Sequence, residues 1–128
     1  ARTLGDVPFN VFARAISAAR VNLNITRRPH ATVAGSSTAR PFELASSGAA
    51  IISNPHEGIE RWFEPGRELV VVESAEDAVS AYRELVADPA QAEEMGRRAR
   101  ERVLDEHTYA HRARRLLELV GLEAGVGV

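Results

Sequence analysis

The stretch Ser47-Gly48-Ala49-Ala50-Ile51-Ile52-Ser53 decides the fold. Gly48 stops the segment before it, in the left-handed conformation that glycine adopts cheaply. Ala49 to Ile52 then form a short unbroken apolar run, which fits a strand covered on both faces. A second run, Glu68-Leu69-Val70-Val71-Val72, is rich in β-branched residues. Helical sequence follows each run, so the two strands are expected to lie parallel in an α/β sheet.

Upstream, Val21-Asn22-Leu23-Asn24-Ile25 alternates apolar and polar residues, which suits a third strand. A helix is predicted before it, from about Pro8 to Ala19, with Asp6 at its positive end and Phe12, Ile16 and Ala19 as its buried stripe. A loop rich in Arg, Gly and Ser is expected from Thr26 to Ser37. The next helix should span about Thr38 to Ser47, capped by Ser37 or Thr38, with Pro41 tolerated in the first turn. Pro55 to Gly66 reads as a short helical piece around Ile59 to Phe63 and a Pro-Gly turn.

The last third is helical. Ser74-Ala-Glu-Asp77 resembles a capping box, and its helix should bury Ala78, Ala81, Tyr82 and Leu85. Asp88 opens a second helix, with Met95, Ala99 and Val103 inward. Thr108 opens a third, with Leu116, Leu117 and Val120 inward and Gly121 as its stop. The tail from Glu123 to Val128 reads as frayed and disordered. Three strands are fewer than the five or six of a doubly wound sheet. The expectation is therefore a partial Rossmann-like sheet with helices on both faces, residues 1–122 forming one domain whose N-terminal part lies elsewhere. An incomplete sheet exposes edges, so self-association is expected of these residues alone.

Bulk composition narrows the function. The chain has 128 residues, 45% hydrophobic and 27% charged, with a formal net charge of -2. No basic field invites nucleic acid. No apolar run approaches the roughly 20 residues of a membrane span. The absence of cysteine excludes disulfides and fits a reducing cytoplasm, the expected location. Arg97, Arg98, Arg100 and Arg102 interleave with Glu93, Glu94, Glu101 and Asp105, which reads as a solvated ion-paired face.

Ligands of open α/β sheets bind beyond the carboxyl ends of the strands. The loop after Ile25 lies there and leads through Gly35-Ser36-Ser37-Thr38 to a helix start. Gly35 lets an anion approach the backbone, and Ser36, Ser37 and Thr38 add hydroxyls. Arg40 offers a fork of donors. Glu43 could accept two hydrogen bonds from a ribose diol. Phosphate at the helix start with ribose a turn deeper suits a nucleoside diphosphate. The competing reading makes Arg40 and Glu43 a surface ion pair and Ser37 or Thr38 a plain cap. Asn24, Arg27, Arg28 and His56 are further candidate phosphate or sugar contacts, and His30 shares the loop. His107 and His111 sit four apart but lack a third ligand, so both are read as structural and no metal is expected.

The order Asn22-Leu-Asn-Ile25, Arg40-Pro-Phe-Glu43 and Ser47-Gly-Ala-Ala-Ile-Ile-Ser53 resembles the C-terminal domain of glycosyltransferases with the GT-B fold. The branch it resembles is the spore-maturation-protein (CgeB-like) glycosyltransferases. The pattern continues in Phe63-Glu-Pro-Gly-Arg-Glu68, Ser74-Ala-Glu-Asp77 and Arg102-Val-Leu-Asp-Glu-His-Thr-Tyr-Ala-His-Arg112, and covers Gly5 to Leu122. The resemblance implies two Rossmann-like domains facing a cleft. The C-terminal one holds a nucleotide diphosphate sugar, with uridine diphosphate as the expected carrier. That sugar is a substrate, and no cofactor is implied. In related retaining enzymes two glutamates flank the phosphate-binding turn. The ribose-gripping one matches Glu43, whereas the sugar-contacting one falls on Gly35. The acceptor site and any general base are expected on the N-terminal domain, so these residues alone should bind donor without turning it over. A non-catalytic GT-B-like module and a nucleotide-sugar epimerase remain open as alternatives.

Overall fold

The computed structural model describes residues 8–33 and 37–121. Ten-residue helix α1 (Phe9–Ala18) leads into β1 (Val21–Asn24). A one-turn helix α2 (Arg28–Ala31) interrupts the stretch expected to be loop throughout. Helix α3 (Arg40–Ser46) precedes β2 (Ala50–Ser53), and a 3-10 turn (Ile59–Arg61) precedes β3 (Val70–Val71). Helices α4 (Ala75–Ala87), α5 (Pro89–Glu106) and α6 (Tyr109–Leu119) complete the chain.

The three strands are parallel and lie in the order β1-β2-β3, with Val21 opposite Ala50 and Ile52 opposite Val70. Consecutive order corresponds to one half of a doubly wound sheet. All of β2 is buried, because helices cover both its faces. Ile51 packs with Ile16, Leu44, Ala45, Ala99 and Val103 on one face. Ala50 and Ile52 pack with Ala81, Leu85, Ala92 and Met95 on the other.

Helix α5 serves both cores, so it must pass from one face to the other. The passage is at Gly96, where a Cβ would lie 2.0 Å from the carbonyl oxygen of Gly48. Gly48 itself, at φ +77°, ends α3 as expected. Arg100 Nε donates to the Ser46 carbonyl at 3.1 Å and satisfies one of the orphan acceptors of that helix end.

The helix openings follow the sequence in the last third. Ser74 and Asp77 form a reciprocal capping box, Asp88 accepts from Gln91 N, and Thr108 pairs with His111. The arginine face of α5 is ion-paired, Arg97 to Glu94 and Glu101, and Arg98 to Glu94.

Several expectations are corrected. Neither Ser37 nor Thr38 caps α3: its N-cap is Ala39, without a side-chain bond, and Ser37 Oγ donates to the Thr38 carbonyl instead. The Ser37 hydroxyl is spent along the loop, and the helix begins two residues later than its spacing suggests. In β1 the alternation is real but the apolar side is the open one. Leu23 and Ile25 are 55% and 67% exposed, while Asn24 is buried. Helical cover reaches Val21 but not the carboxyl end of that face. Glu68 and Leu69 precede the β3 ladder rather than joining it, held in a Pro-Gly turn by the Gly66 N–H bond to the Leu69 carbonyl. Tyr82 is half exposed, since Ala78, Ala81 and Leu85 already fill the stripe toward the sheet. Helix α6 buries none of its residues: Leu116 and Val120 are mostly exposed and Leu117 is half-buried, because no described element covers them. Asp6 and the tail from Glu123 lie outside the described residues.

Candidate functional site

The carboxyl ends of β1 and β2 are tied by Asn54. Its Oδ1 accepts from the Thr26 N–H at 2.7 Å, and its Nδ2 donates to the Thr26 carbonyl at 3.0 Å. One side chain thus prolongs the strand pairing by a step. Asn24 donates from Nδ2 to Ser53 Oγ at 2.9 Å, deep in the interior, and its Oδ1 has no protein partner. His56 is not an exposed loop residue. It is 7% exposed, stacks on Trp62 at 5.8 Å between centroids, and finds a protein partner for neither ring nitrogen.

A groove of about 480 Å³ opens between α3 and the corner joining α5 to α6. Ser37, Thr38, Phe42 and Glu43 form one wall. Leu104, His107, Tyr109 and Arg112 stand on the other. Its volume falls in the range of small-molecule sites, which combine apolar walls with a few converging polar groups.

The structure therefore brings Ser37, Thr38 and Glu43 together and leaves the other candidates apart. Asn24, His56, Arg27 and Arg28 do not line the groove. Arg27 and Arg28 are exposed on α2 and its N-cap, as is His30. Gly35 and Ser36 lie outside the described residues. Arg40 turns toward α1, its guanidinium 5.5 Å from the Phe12 ring centroid. Its Nε also lies 3.7 Å from Glu43 Oε2, with both side chains well exposed. Such a pair contributes a few tenths of a kcal/mol and leaves the carboxylate available.

The second wall escapes local sequence reading. His107 closes α5 and pairs with Trp62, 45 positions earlier: its Nε2 lies 3.1 Å from the Trp62 carbonyl. Its Nδ1 lies 3.0 Å from Arg112 Nη2. A carbonyl only accepts and a guanidinium only donates, so Nε2 carries the proton and the ring is neutral. Phe42 packs edge-on against both His107 and Trp62. His111 is spent on the capping box of α6. His107 and His111 are engaged in these contacts, and among the described residues no group of three or more His, Cys, Asp or Glu side chains could hold a metal.

Burial is the leading cause that lowers the pKa of both His56 and His107. The Arg112 charge lowers His107 further, while the Trp62 carbonyl opposes the shift. The unfolded value, about 6.5, therefore exceeds the folded one. The stabilisation from these neutral rings is complete above about pH 6.5 and is lost as pH falls toward the folded values. Urea midpoints are expected to drop between about pH 7.5 and pH 5.5, and to drop less in a His56→Gln, His107→Gln chain. Glu94, held at about 2 chiefly by its Arg97 hydrogen bond, titrates well below that window. An equal drop in the variant would assign the effect to other groups.

Residues 1–118 match the glycosyl transferase-like family. The chain belongs to that family. No match occurs among curated proteins. Among solved structures, this member is similar to sucrose-phosphate synthase from Thermosynechococcus elongatus, at 22% identity and a TM-score of 0.76. The match covers 92% of this chain and 29% of that one. At that identity the likeness shows the fold alone. The fold is α/β, a three-stranded parallel sheet between helices, similar to a GT-B glycosyltransferase fold. Among the described residues no helix is long and apolar enough to cross a membrane.

Proposed function

We propose that this family member supplies the donor-binding part of a glycosyltransferase that moves a hexosyl group from a nucleoside diphosphate sugar to an acceptor. Uridine diphosphate is the favoured carrier, and the CgeB-like branch is the favoured placement within GT-B enzymes. The observation that carries the reading is the position of Glu43. Glu43 lines the groove together with Ser37 and Thr38, on the segment whose pattern resembles the nucleotide grip of such enzymes.

In transfer, the bond between the anomeric carbon and the diphosphate oxygen breaks, and the acceptor oxygen bonds to that carbon. The acceptor hydroxyl loses its proton, and the nucleoside diphosphate leaves with the bonding electron pair. Glu43 would accept hydrogen bonds from the ribose hydroxyls. The Thr38 hydroxyl would donate to a phosphate oxygen, and Ser37 would do so on giving up its bond to the Thr38 carbonyl. These contacts hold the leaving group while its charge grows, which is where preorganised donors accelerate such reactions.

Calorimetry with uridine diphosphate on the full natural protein tests this. Glu43→Ala should weaken binding about 10- to 100-fold, the worth of hydrogen bonds to a charged acceptor. The melting temperature should stay within about 2 °C of the parent, because among the described residues the Glu43 side chain pairs with exposed Arg40 alone. Unchanged affinity in Glu43→Ala would sink the assignment. Absence of binding by the parent would favour a non-catalytic module.

A further inference from the structure

We propose that Arg112 is the diphosphate-binding cation of the groove. The inference rests on the nucleotide-donor reading above and goes beyond it, since the sequence pointed to Arg27, Arg28 and Arg40 for the phosphates. Those three are elsewhere: Arg27 and Arg28 at α2, and Arg40 over the Phe12 ring. Among the residues lining the groove, Glu43 is the one acid and Arg112 the one arginine. His107 lies beside Arg112, with its ring neutral for the donor-acceptor reasons given above. A ligand with a diol at one end and an anion at the other has a single complementary orientation there. The ribose meets Glu43 and the diphosphate meets Arg112. Leu104 and Tyr109 leave apolar surface for the base.

Arg112 is suited to the role. Its guanidinium lies 6.0 Å from the centroid of Phe42, and both it and Glu43 line the one groove. It has no carboxylate partner among the described residues, whereas Arg40, Arg97, Arg98, Arg102 and Arg115 all do. The His107 contact engages one of its five N–H donors and orients the rest. A pre-oriented fork binds phosphate oxygens in pairs, which an ammonium cannot.

The test compares uridine diphosphate with uridine, which lacks the phosphates, on the full natural protein. Arg112→Gln should weaken uridine diphosphate about 10-fold or more, the scale of a charge-assisted bidentate contact, and leave uridine within about twofold. Arg112→Lys keeps the charge without the fork and should recover part of the loss. The salt dependence of diphosphate binding should flatten in Arg112→Gln. Tryptophan fluorescence from Trp62 checks that the His107 contact survives. If Arg112→Gln does not fold, Arg112→Lys carries the test, and an unchanged ratio of the two affinities overturns the proposal. Equal weakening of both ligands makes Arg112 a structural brace and also overturns it. If Glu43→Ala weakens uridine while Arg112→Gln spares the diphosphate, the donor reading stands and this proposal falls. If the parent binds neither ligand, both fall.

Discussion

A Gly96→Ala chain is expected to lose about 3 kcal/mol of stability or more, the upper range for an overpacked contact. The direction runs against local propensity, because alanine is the better helix former by about 1 kcal/mol. The new methyl would sit 2.0 Å from the Gly48 oxygen, 2.6 Å from the Gly48 carbonyl carbon and 2.9 Å from the Ala49 carbonyl carbon. All three are backbone atoms, so no side chain can swing away. Gly48 is fixed as well, because its φ of +77° ends α3 immediately before the buried strand β2. Relief requires lifting α5, which carries Ala92 and Met95 into one core and Ala99 and Val103 into the other. Gly66→Ala is the control. It has φ +84° but open space around it, and should cost only about 1–2 kcal/mol. Urea unfolding of the three chains measures the difference. A Gly96→Ala chain as stable as its parent would falsify the close crossing. The same lift would displace His107 and Arg112, so weakened nucleotide binding should accompany the loss.

Much of this fold was legible in the sequence because the deciding signals are local. The run Ala49 to Ile52 reads as a two-sided strand, and the structure buries all of β2. Ser74, Asp88 and Thr108 announce helix starts through bonds that reach only three residues. Pattern fails where the outcome depends on what lies opposite. Leu23 and Ile25 share the spacing of core residues, yet no described helix covers them. Leu116 and Val120 occupy the apolar stripe of α6, but the spacing of a stripe says nothing about whether a partner is present. The candidate site divides the same way. Ser37, Thr38 and Glu43 share one short segment and can be read together. The opposing wall is assembled by His107 and Trp62, separated by 45 positions, and nothing in the spacing of either announces the other.

Glu68 is the clearest long-range element, and Glu68→Ala is expected to cost about 2–4 kcal/mol. Sequence reading assigned it to a strand and gave its side chain no role. In the structure its side chain is 9% exposed and carries two loads. Oε2 accepts the Glu64 N–H at 2.7 Å, which closes the turn before β3. Both carboxylate oxygens accept from Arg102 Nε, at 3.1 and 3.2 Å, and so fasten that turn to α5. Alanine would orphan the Glu64 N–H and release Arg102. The full penalty for a stranded charge does not apply, because the Arg102 side chain is 32% exposed and keeps Glu106. Glu68→Gln retains an acceptor for the Glu64 N–H but sets an uncharged amide against the guanidinium, so an intermediate loss of about 1–2 kcal/mol is expected. A cycle with Arg102→Met separates the two loads. Additive losses would assign the cost to the turn alone, and a coupling near 1 kcal/mol or above would assign a share to the ion pair. A Glu68→Ala loss below about 0.5 kcal/mol would place the pair with ordinary surface bridges. The turn follows Trp62 and Phe63, which pack on Phe42, so loosening it should also disturb the wall that presents Glu43.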